Sequence, residues 1–123
     1  MRGLFKKKPK NPAHRLGQRG EELAKKHLKK QGYKILEANY RCKLGELDLV
    51  ATWGEYIVFV EVKTRTDLDP LLQMTQAKTK KIRQLALVYL EEKQIRGLQP
   101  RFDVIAVTND GERLRLEHLQ NAF

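Results

Sequence analysis

Residues 45–65, which read GELDLVATWGEYIVFVEVKTR, constrain the fold more than any other stretch of this sequence. Two runs rich in Leu, Val and Ile flank a short break at Gly54-Glu55. Such runs are typical of β-strands, and a two-residue break is short enough for a hairpin turn. The sequence therefore predicts two antiparallel neighbours, over residues 46–53 and 56–63.

The remaining elements follow from the periodicity of the apolar residues. Helical spacing predicts two helices, over residues 14–31 and 79–93, separated by strands and by a loop over residues 66–76. Further strands are predicted over residues 33–41, 102–107 and 113–119. The order is αβββαββ, and the simplest packing for it is an α/β fold in which helices flank a mixed central sheet. Residues 1–13 have no such periodicity and are expected to form a flexible basic arm before a single domain over residues 14–123.

The charge is concentrated at one end of the chain. The formal net charge is +10, and residues 1–43 hold 14 Lys and Arg against three Glu. This polarity favours a polyanionic partner, most often nucleic acid; an anionic membrane surface and an ordinary solvated face are the alternatives. No apolar run is long enough to span a membrane or to form a secretory signal. Cys42 is the single cysteine, which fits a reducing cytoplasm.

Three charged residues interrupt the two best strands. If Trp53 pairs with Tyr56, Asp48 lies opposite Glu61, and directly opposed residues have Cβ atoms roughly 5 Å apart. Lys63 shares a face with Glu61 because it lies two residues further along the strand. Two close carboxylates repel, and Mg²⁺ or Mn²⁺ between them removes the repulsion. The pattern is therefore compatible with metal-assisted hydrolysis of a phosphodiester, with Lys63 orienting water or stabilising phosphate charge.

The same residues also have a simpler interpretation. Acidic residues in strands are often solvent-facing, and Lys63 would then form an ion pair with Glu61 or Glu46. The first helix offers one further carboxylate, because Glu21 lies at the flank of its apolar stripe and could reach the edge of the site. Glu22 points nearly the opposite way and is expected in solvent.

Taken together, several segments resemble the YraN family of small bacterial proteins. The resemblance covers residues 14–123 and depends on Gly17-x-x-Gly20-Glu21, GELDLVA over residues 45–51, VFVEVKTR over residues 58–65, RFDVI over residues 101–105, and the final NAF. That family is similar in pattern to the PD-(D/E)XK nuclease superfamily, which includes restriction endonucleases and archaeal Holliday junction resolvases. The resemblance implies a restriction endonuclease-like αβββαβ core.

The resemblance also implies roles for individual residues. Asp48, Glu61 and the carbonyl of Val62 would bind Mg²⁺ or Mn²⁺, Lys63 would assist the attacking water, and Glu21 would be the acid of the first helix. Lys78 and Gln76 lie near the position where related enzymes have a polar residue on the second helix. Leu47 departs from the superfamily pattern, which has proline before the motif aspartate. The implied function is a metal-dependent endonuclease (a phosphodiester hydrolase) acting on DNA, including branched or single-stranded structures.

A second function is compatible with the same residues. The chain could be a nucleic-acid-binding module that has the nuclease-like fold without cleavage. In either case phosphate contacts are expected from Lys6, Lys7, Lys8, Lys10, Arg15, Arg19, Arg65 and Lys78. A homodimer is one expectation, since cutting two strands often uses two sites; residues 66–76 would supply an interface or a flexible lid.

Other residues receive structural interpretations. The three histidines match no zinc spacing, and His27 is expected to pack on the apolar stripe of the first helix. Asp103 is expected to be buried and paired with Arg101. Trp53 and Tyr56 could stack on unpaired bases, although packing against each other is the simpler expectation.

Overall fold

A computed structural model of the chain describes residues 12–65, 74–109 and 111–123; the side chains of residues 12–15 and 65 lie outside that description. Its elements in chain order are α1 (Pro12–Lys30), β1 (Lys34–Cys42), β2 (Gly45–Trp53), β3 (Tyr56–Arg65), α2 (Gln76–Glu92), β4 (Gln99–Asn109) and β5 (Leu114–Leu119). The order αβββαββ predicted from the sequence is confirmed. The predicted basic arm falls mostly on residues 1–11, which lie outside the described residues.

The five strands form one mixed sheet in the order β1-β2-β3-β4-β5. β3 and β4 pair in parallel, whereas the other neighbours are antiparallel. The parallel pair requires a crossover, and α2 lies within it. This α/β arrangement agrees with the predicted fold class and is compatible with a restriction endonuclease-like core.

The central hairpin has the predicted turn. Trp53 pairs with Tyr56, and the register continues to Leu49 opposite Val60. Gly54 has a φ of 59°. That left-handed conformation suits the first position of a two-residue hairpin turn and is costly for residues with a Cβ.

The two faces of the sheet bury separate hydrophobic clusters. Phe59 and Ile57 of β3 pack with residues of α2, whereas Val58 and Val60 pack with residues of α1. Since successive strand residues point to opposite faces, the helices cover opposite sides of the sheet. The helical side of the first cluster consists of Ile82, Leu85, Ala86 and Tyr89, and that of the second consists of Ala24 and Leu28.

Element boundaries differ from the predictions by up to three residues, and the starts of α1, α2 and β4 are examples. α1 begins at Pro12, two residues earlier than predicted. α2 begins at Gln76 because the Thr75 side chain caps it, accepting the N–H of Lys78 at 3.1 Å. β4 begins at Gln99, three residues before the predicted start, and includes Pro100. β5 pairs with β4 only from Val104 onward, so Pro100 has no second neighbouring strand that needs its missing N–H.

A buried polar network joins α1 to β4 and β5. Asp103 is fully buried, and Arg101 donates to both of its carboxylate oxygens, at 3.0 and 2.8 Å. His118 Nε2 lies 2.7 Å from Asp103 Oδ2, and His27 Nε2 lies 3.1 Å from His118 Nδ1. The Arg101 and His118 hydrogen bonds lower the pKa of Asp103 although burial alone would raise it. The predicted Asp103–Arg101 pair and the packed position of His27 are therefore confirmed.

Within the described part of the chain, no helix is long and apolar enough to cross a membrane.

Candidate active site

The alternation of β1 and β2 is interrupted beside Asp48. Ala38 and Leu49 pair with each other and pack on the α1 side, whereas Tyr40 and Leu47 pair and pack on the α2 side. Because residues two apart on a regular strand share a face, both strands change facing between these pairs. Asn39, which has a φ of 55°, and Asp48 are the residues at the change. The irregularity takes Asp48 out of the regular ladder.

The Asp48 carboxylate bonds to the neighbouring strand through its side chain. Asp48 Oδ2 accepts the backbone N–H of Val62 at 2.8 Å. The backbone pairing of β2 with β3 extends from the hairpin turn only as far as Leu49, which pairs with Val60. The predicted pair of Asp48 and Glu61 would be the next one and is not part of the ladder. The side chain of Asp48 thus connects the two strands where their backbones stop pairing.

The electrostatic environment of Asp48 is unfavourable to its charge. Burial, followed by the charge of Glu61, raises the pKa of Asp48 to about 7, with a smaller contribution from Glu21. The Val62 N–H acts in the opposite direction because it stabilises the carboxylate. Near neutral pH, Asp48 is therefore divided between its protonated and ionised forms.

Glu61 lies between two lysines. Lys63 Nζ and Lys78 Nζ each lie 3.2 Å from Glu61 Oε2. The Glu61 and Lys63 side chains are 12% and 10% exposed, whereas Lys78 is 41% exposed. Burial, followed by the contact with Lys78, lowers the pKa of Lys63. Burial also opposes the charge of Lys78, but Lys63 and Glu61 raise its pKa.

Helix α1 approaches the sheet closely enough to bring Glu21 to this region. A Cβ at Gly20 would lie 2.1 Å from Thr64 Cγ2, so the contact between α1 and β3 requires glycine. Asn39 Nδ2 donates to Glu21 Oε1 at 3.3 Å. Glu22 is exposed and pairs with Lys25, in agreement with the helical periodicity.

A cavity of about 370 Å³ opens in front of Asp48. Its lining residues come from α1 and from the first three strands: Gly17, Gln18, Glu21, Asn39, Arg41, Glu46, Asp48, Val62 and Thr64. Polar and charged side chains dominate this lining, which suits a hydrated or ionic ligand better than an apolar one.

The carboxylates of this region can supply part of the ligand shell of a divalent cation. No group of three His, Cys, Asp or Glu side chains in residues 12–65, 74–109 and 111–123 is arranged to hold a metal alone. Mg²⁺ usually binds one or two carboxylates and completes its shell with water and substrate phosphates. Asp48 and Glu61 fit that smaller set, and after burial the charge of Glu61 is the next contribution that raises the pKa of Asp48.

A profile of the uncharacterised protein family UPF0102 matches residues 20–107. The chain belongs to the UPF0102 family. A UPF0102 protein of Caldanaerobacter subterraneus subsp. tengcongensis is 46% identical over 114 residues, covering 88% of this chain and 93% of its own. One from Pelobacter propionicus is 50% identical over 113 residues, covering 87% and 81%. One from Pelotomaculum thermopropionicum is 49% identical over 113 residues, covering 88% and 94%. UPF0102 is the YraN family, so the family expected from the sequence motifs is confirmed.

This UPF0102 protein brings together most of the residues predicted for its site. Asp48, Glu61 and Lys63 adjoin one another, and Glu21 lines the cavity in front of Asp48. Val62 contributes its N–H to Asp48, an interaction that the sequence did not predict. Lys78 was predicted to contact nucleic acid. In the structure its ammonium forms an ion pair with Glu61.

The remaining predicted phosphate contacts lie elsewhere. Arg19 is exposed on α1. Lys6, Lys7, Lys8 and Lys10 lie outside the described residues of this UPF0102 protein, as do the side chains of Arg15 and Arg65.

Asn39 and Thr64 are among the polar residues of the site that the sequence did not predict in this UPF0102 protein. Asn39 positions Glu21, and Thr64 contacts α1 at Gly20. The sequence does indicate Asn39 as unusual, because asparagine is uncommon within strands and tolerates the left-handed conformation that it adopts here. Nothing in the sequence distinguishes Thr64, since threonine is an ordinary strand residue.

Proposed function

We propose that this protein is a metal-dependent nuclease that hydrolyses phosphodiester bonds in DNA. The observation behind the proposal is the arrangement of Asp48, Glu61 and Lys63, two interacting carboxylates and a buried lysine beside a polar cavity. Asp48 lies where burial and the charge of Glu61 disfavour its ionisation, which is costly and supports a role beyond structure. The basic first third of the chain supports a polyanionic substrate.

Each residue has a distinct role in this proposal. Asp48 and Glu61 supply the carboxylate oxygens that would hold Mg²⁺ or Mn²⁺, and Glu21 lines the cavity beside them. The metal, when bound, would stabilise negative charge on the phosphate. Lys63 donates hydrogen bonds from a buried position, where it orients water toward the phosphate. Its lowered pKa increases the fraction of neutral amine, the form that can accept a proton from water.

Cleavage of DNA by matched variants tests the proposal. Wild-type protein with Mn²⁺ or Mg²⁺ is expected to cut branched, flapped or single-stranded substrates, and Asp48→Asn and Glu61→Gln are expected to lose at least about a hundredfold in rate. Glu91→Gln is the control, because the Glu91 side chain is 79% exposed on α2. Equal cleavage by all four proteins would contradict the assignment. Calorimetry with Mn²⁺ then establishes whether the same two carboxylates bind the metal.

One observation favours a second candidate, a nucleic-acid-binding module that does not cleave. Lys63 and Lys78 both contact Glu61 Oε2, so the charge of Glu61 is neutralised without a metal. This candidate predicts salt-dependent DNA binding with no metal-dependent cleavage on any substrate class. Salt-independent binding, or no binding, counts against both candidates.

A further inference from the structure

A second pocket lies at the opposite end of the central hairpin. It has a volume of about 330 Å³ and is bounded by the hairpin end, the start of β4 and the residues after β5. We refer to it as the aromatic pocket. Its lining includes Trp53, Tyr56, Gln99, Arg101 and Gln120. Asp48 and Trp53 lie five residues apart on β2, which separates their Cα atoms by roughly 17 Å at about 3.4 Å per residue.

Two buried side chains, Tyr33 and Arg101, contact the aromatic rings of this pocket. Trp53 stacks on Tyr33 with ring centroids 5.5 Å apart and planes 19° apart, yet it remains 40% exposed. The guanidinium of Arg101 lies 5.5 Å from the Trp53 ring centroid and 5.2 Å from that of Tyr56. Arg101 is itself buried and fixed by Asp103. Such preorganisation lowers the entropic cost of binding a flat ligand.

The rim of the pocket is polar, and lysines of α1 lie on the side of Trp53. Gln99 and Gln120 are exposed, and their carboxamides offer both donors and acceptors. The last turn of α1 contains Lys29 and Lys30, and a Cβ at Gly32, which follows that turn, would lie 3.9 Å from Trp53 Nε1. Base edges require paired donors and acceptors, and the adjoining phosphates require cations.

We propose that the aromatic pocket binds an unpaired nucleobase of single-stranded DNA, with Trp53 as the stacking surface. Stacking on aromatic side chains is the usual way in which proteins hold single strands without reading sequence. The inference rests on the proposed interaction with DNA but not on cleavage. It gives the substrate of the proposed nuclease a chemical class, DNA with an unpaired segment about 17 Å from the carboxylates.

Intrinsic fluorescence gives a direct test, because Trp53 is the single tryptophan of the chain. The protein is titrated in EDTA with an oligothymidylate about a dozen nucleotides long, and separately with the blunt duplex of the same length. Saturable quenching by the single strand, and much weaker quenching by the duplex, is the expected result. Equal quenching by both, or no quenching while a labelled strand is bound, would overturn the proposal, as would the absence of any binding.

Two variants measure the contribution of the pocket by anisotropy of a labelled strand. Trp53→Leu is expected to weaken binding about tenfold, and Trp53→Phe much less, because phenylalanine retains a stacking surface. Gln120→Glu places a negative charge on the exposed rim and is expected to weaken binding several-fold. Gln84→Glu makes the same change at an exposed position of α2 and is the matched control. Equal effects of the two Glu variants would contradict the assignment.

Cleavage and quenching of Trp53 fluorescence distinguish failure of the nuclease proposal from failure of the aromatic-pocket proposal. Asp48→Asn is expected to lose cleavage and to retain quenching of Trp53, because the two residues lie five positions apart on β2. Quenching without cleavage in the wild type would remove the nuclease proposal alone. Cleavage without quenching would remove the aromatic pocket alone.

Discussion

At the scale of single residues, Asp48 is held where its charge is disfavoured. A regular strand would place its neighbours in a continuous ladder, whereas here the ladder ends and one N–H from Val62 faces the carboxylate. Burial and the nearby Glu61 both oppose ionisation. The position of this carboxylate therefore lowers the stability of the protein at pH values where Asp48 must ionise.

The pH dependence of folding should reveal this cost. The pKa of Asp48 is about 7 in the folded protein against an ordinary value of 3.8. Below the lower value both states are protonated. Between the two values only the unfolded state releases the proton. The contribution of Asp48 to the free energy of unfolding therefore falls as pH rises, and the whole loss of stability is reached above about pH 7. Asp48→Asn removes this dependence.

Urea unfolding in EDTA across this range measures the effect. We expect Asp48→Asn to be more stable than the wild type at pH 8 by a few kcal/mol, and nearly equal to it at pH 3. Asparagine can still accept the Val62 N–H, so the local hydrogen bond is retained. Parallel stability curves for the two proteins would show that Asp48 is not perturbed.

At the scale of elements, the approach of α1 to β3 determines whether Glu21 reaches the site. The contact is made at Gly20 against Thr64, beside the cavity. Replacing Gly20 with alanine would place its Cβ 2.1 Å from Thr64 Cγ2. One of the two elements must then move.

Gly20→Ala is therefore expected to destabilise the protein by about 1–3 kcal/mol, the usual cost of overpacking. Gly17→Ala is the matched control, because its nearest neighbour, Thr64 Oγ1, would be 4.0 Å away and alanine favours helices. Thr64→Ser removes the clashing methyl group and should recover part of the loss in Gly20→Ala. Thermal unfolding of the four proteins measures these differences; equal losses at positions 17 and 20 would contradict the close contact.

The sequence predicted elements better than it predicted their junctions. Apolar periodicity placed all seven elements, since burial on one face imposes a period of two or 3.6 residues. It missed the start of α2 because capping depends on one side chain, Thr75, within a stretch of loop-like composition. Within the site, the Asp48, Glu61 and Lys63 grouping followed from hairpin register. The break at Asn39 did not, because it depends on one backbone torsion and interrupts the regular alternation.

At the scale of the whole molecule, Asp103 connects parts that are distant in sequence. It accepts from Arg101 on β4, lies against His118 on β5, and receives the backbone N–H of Asn121 at 2.9 Å. His118 in turn contacts His27 on α1. These contacts make the positions of α1, β4 and β5 depend on one buried carboxylate.

Asp103→Ala leaves the buried Arg101 guanidinium without its carboxylate and should cost roughly 3–5 kcal/mol of unfolding free energy. Glu91→Ala breaks an exposed pair with Arg96 and should cost less than about 1 kcal/mol. Urea denaturation followed by circular dichroism compares them. Similar losses in both variants would mean that the network contributes little to cohesion.

The strand order also means that some strand pairs cost more chain entropy to form than others. β1, β2 and β3 follow one another through short turns, so pairing them closes small loops. Pairing β3 with β4 joins Tyr56 to Gln99 and must close a much longer loop that contains α2. Asp48 and Glu61 thus meet through local contacts, whereas Lys78, the more exposed of the two cations on Glu61, arrives with the long crossover.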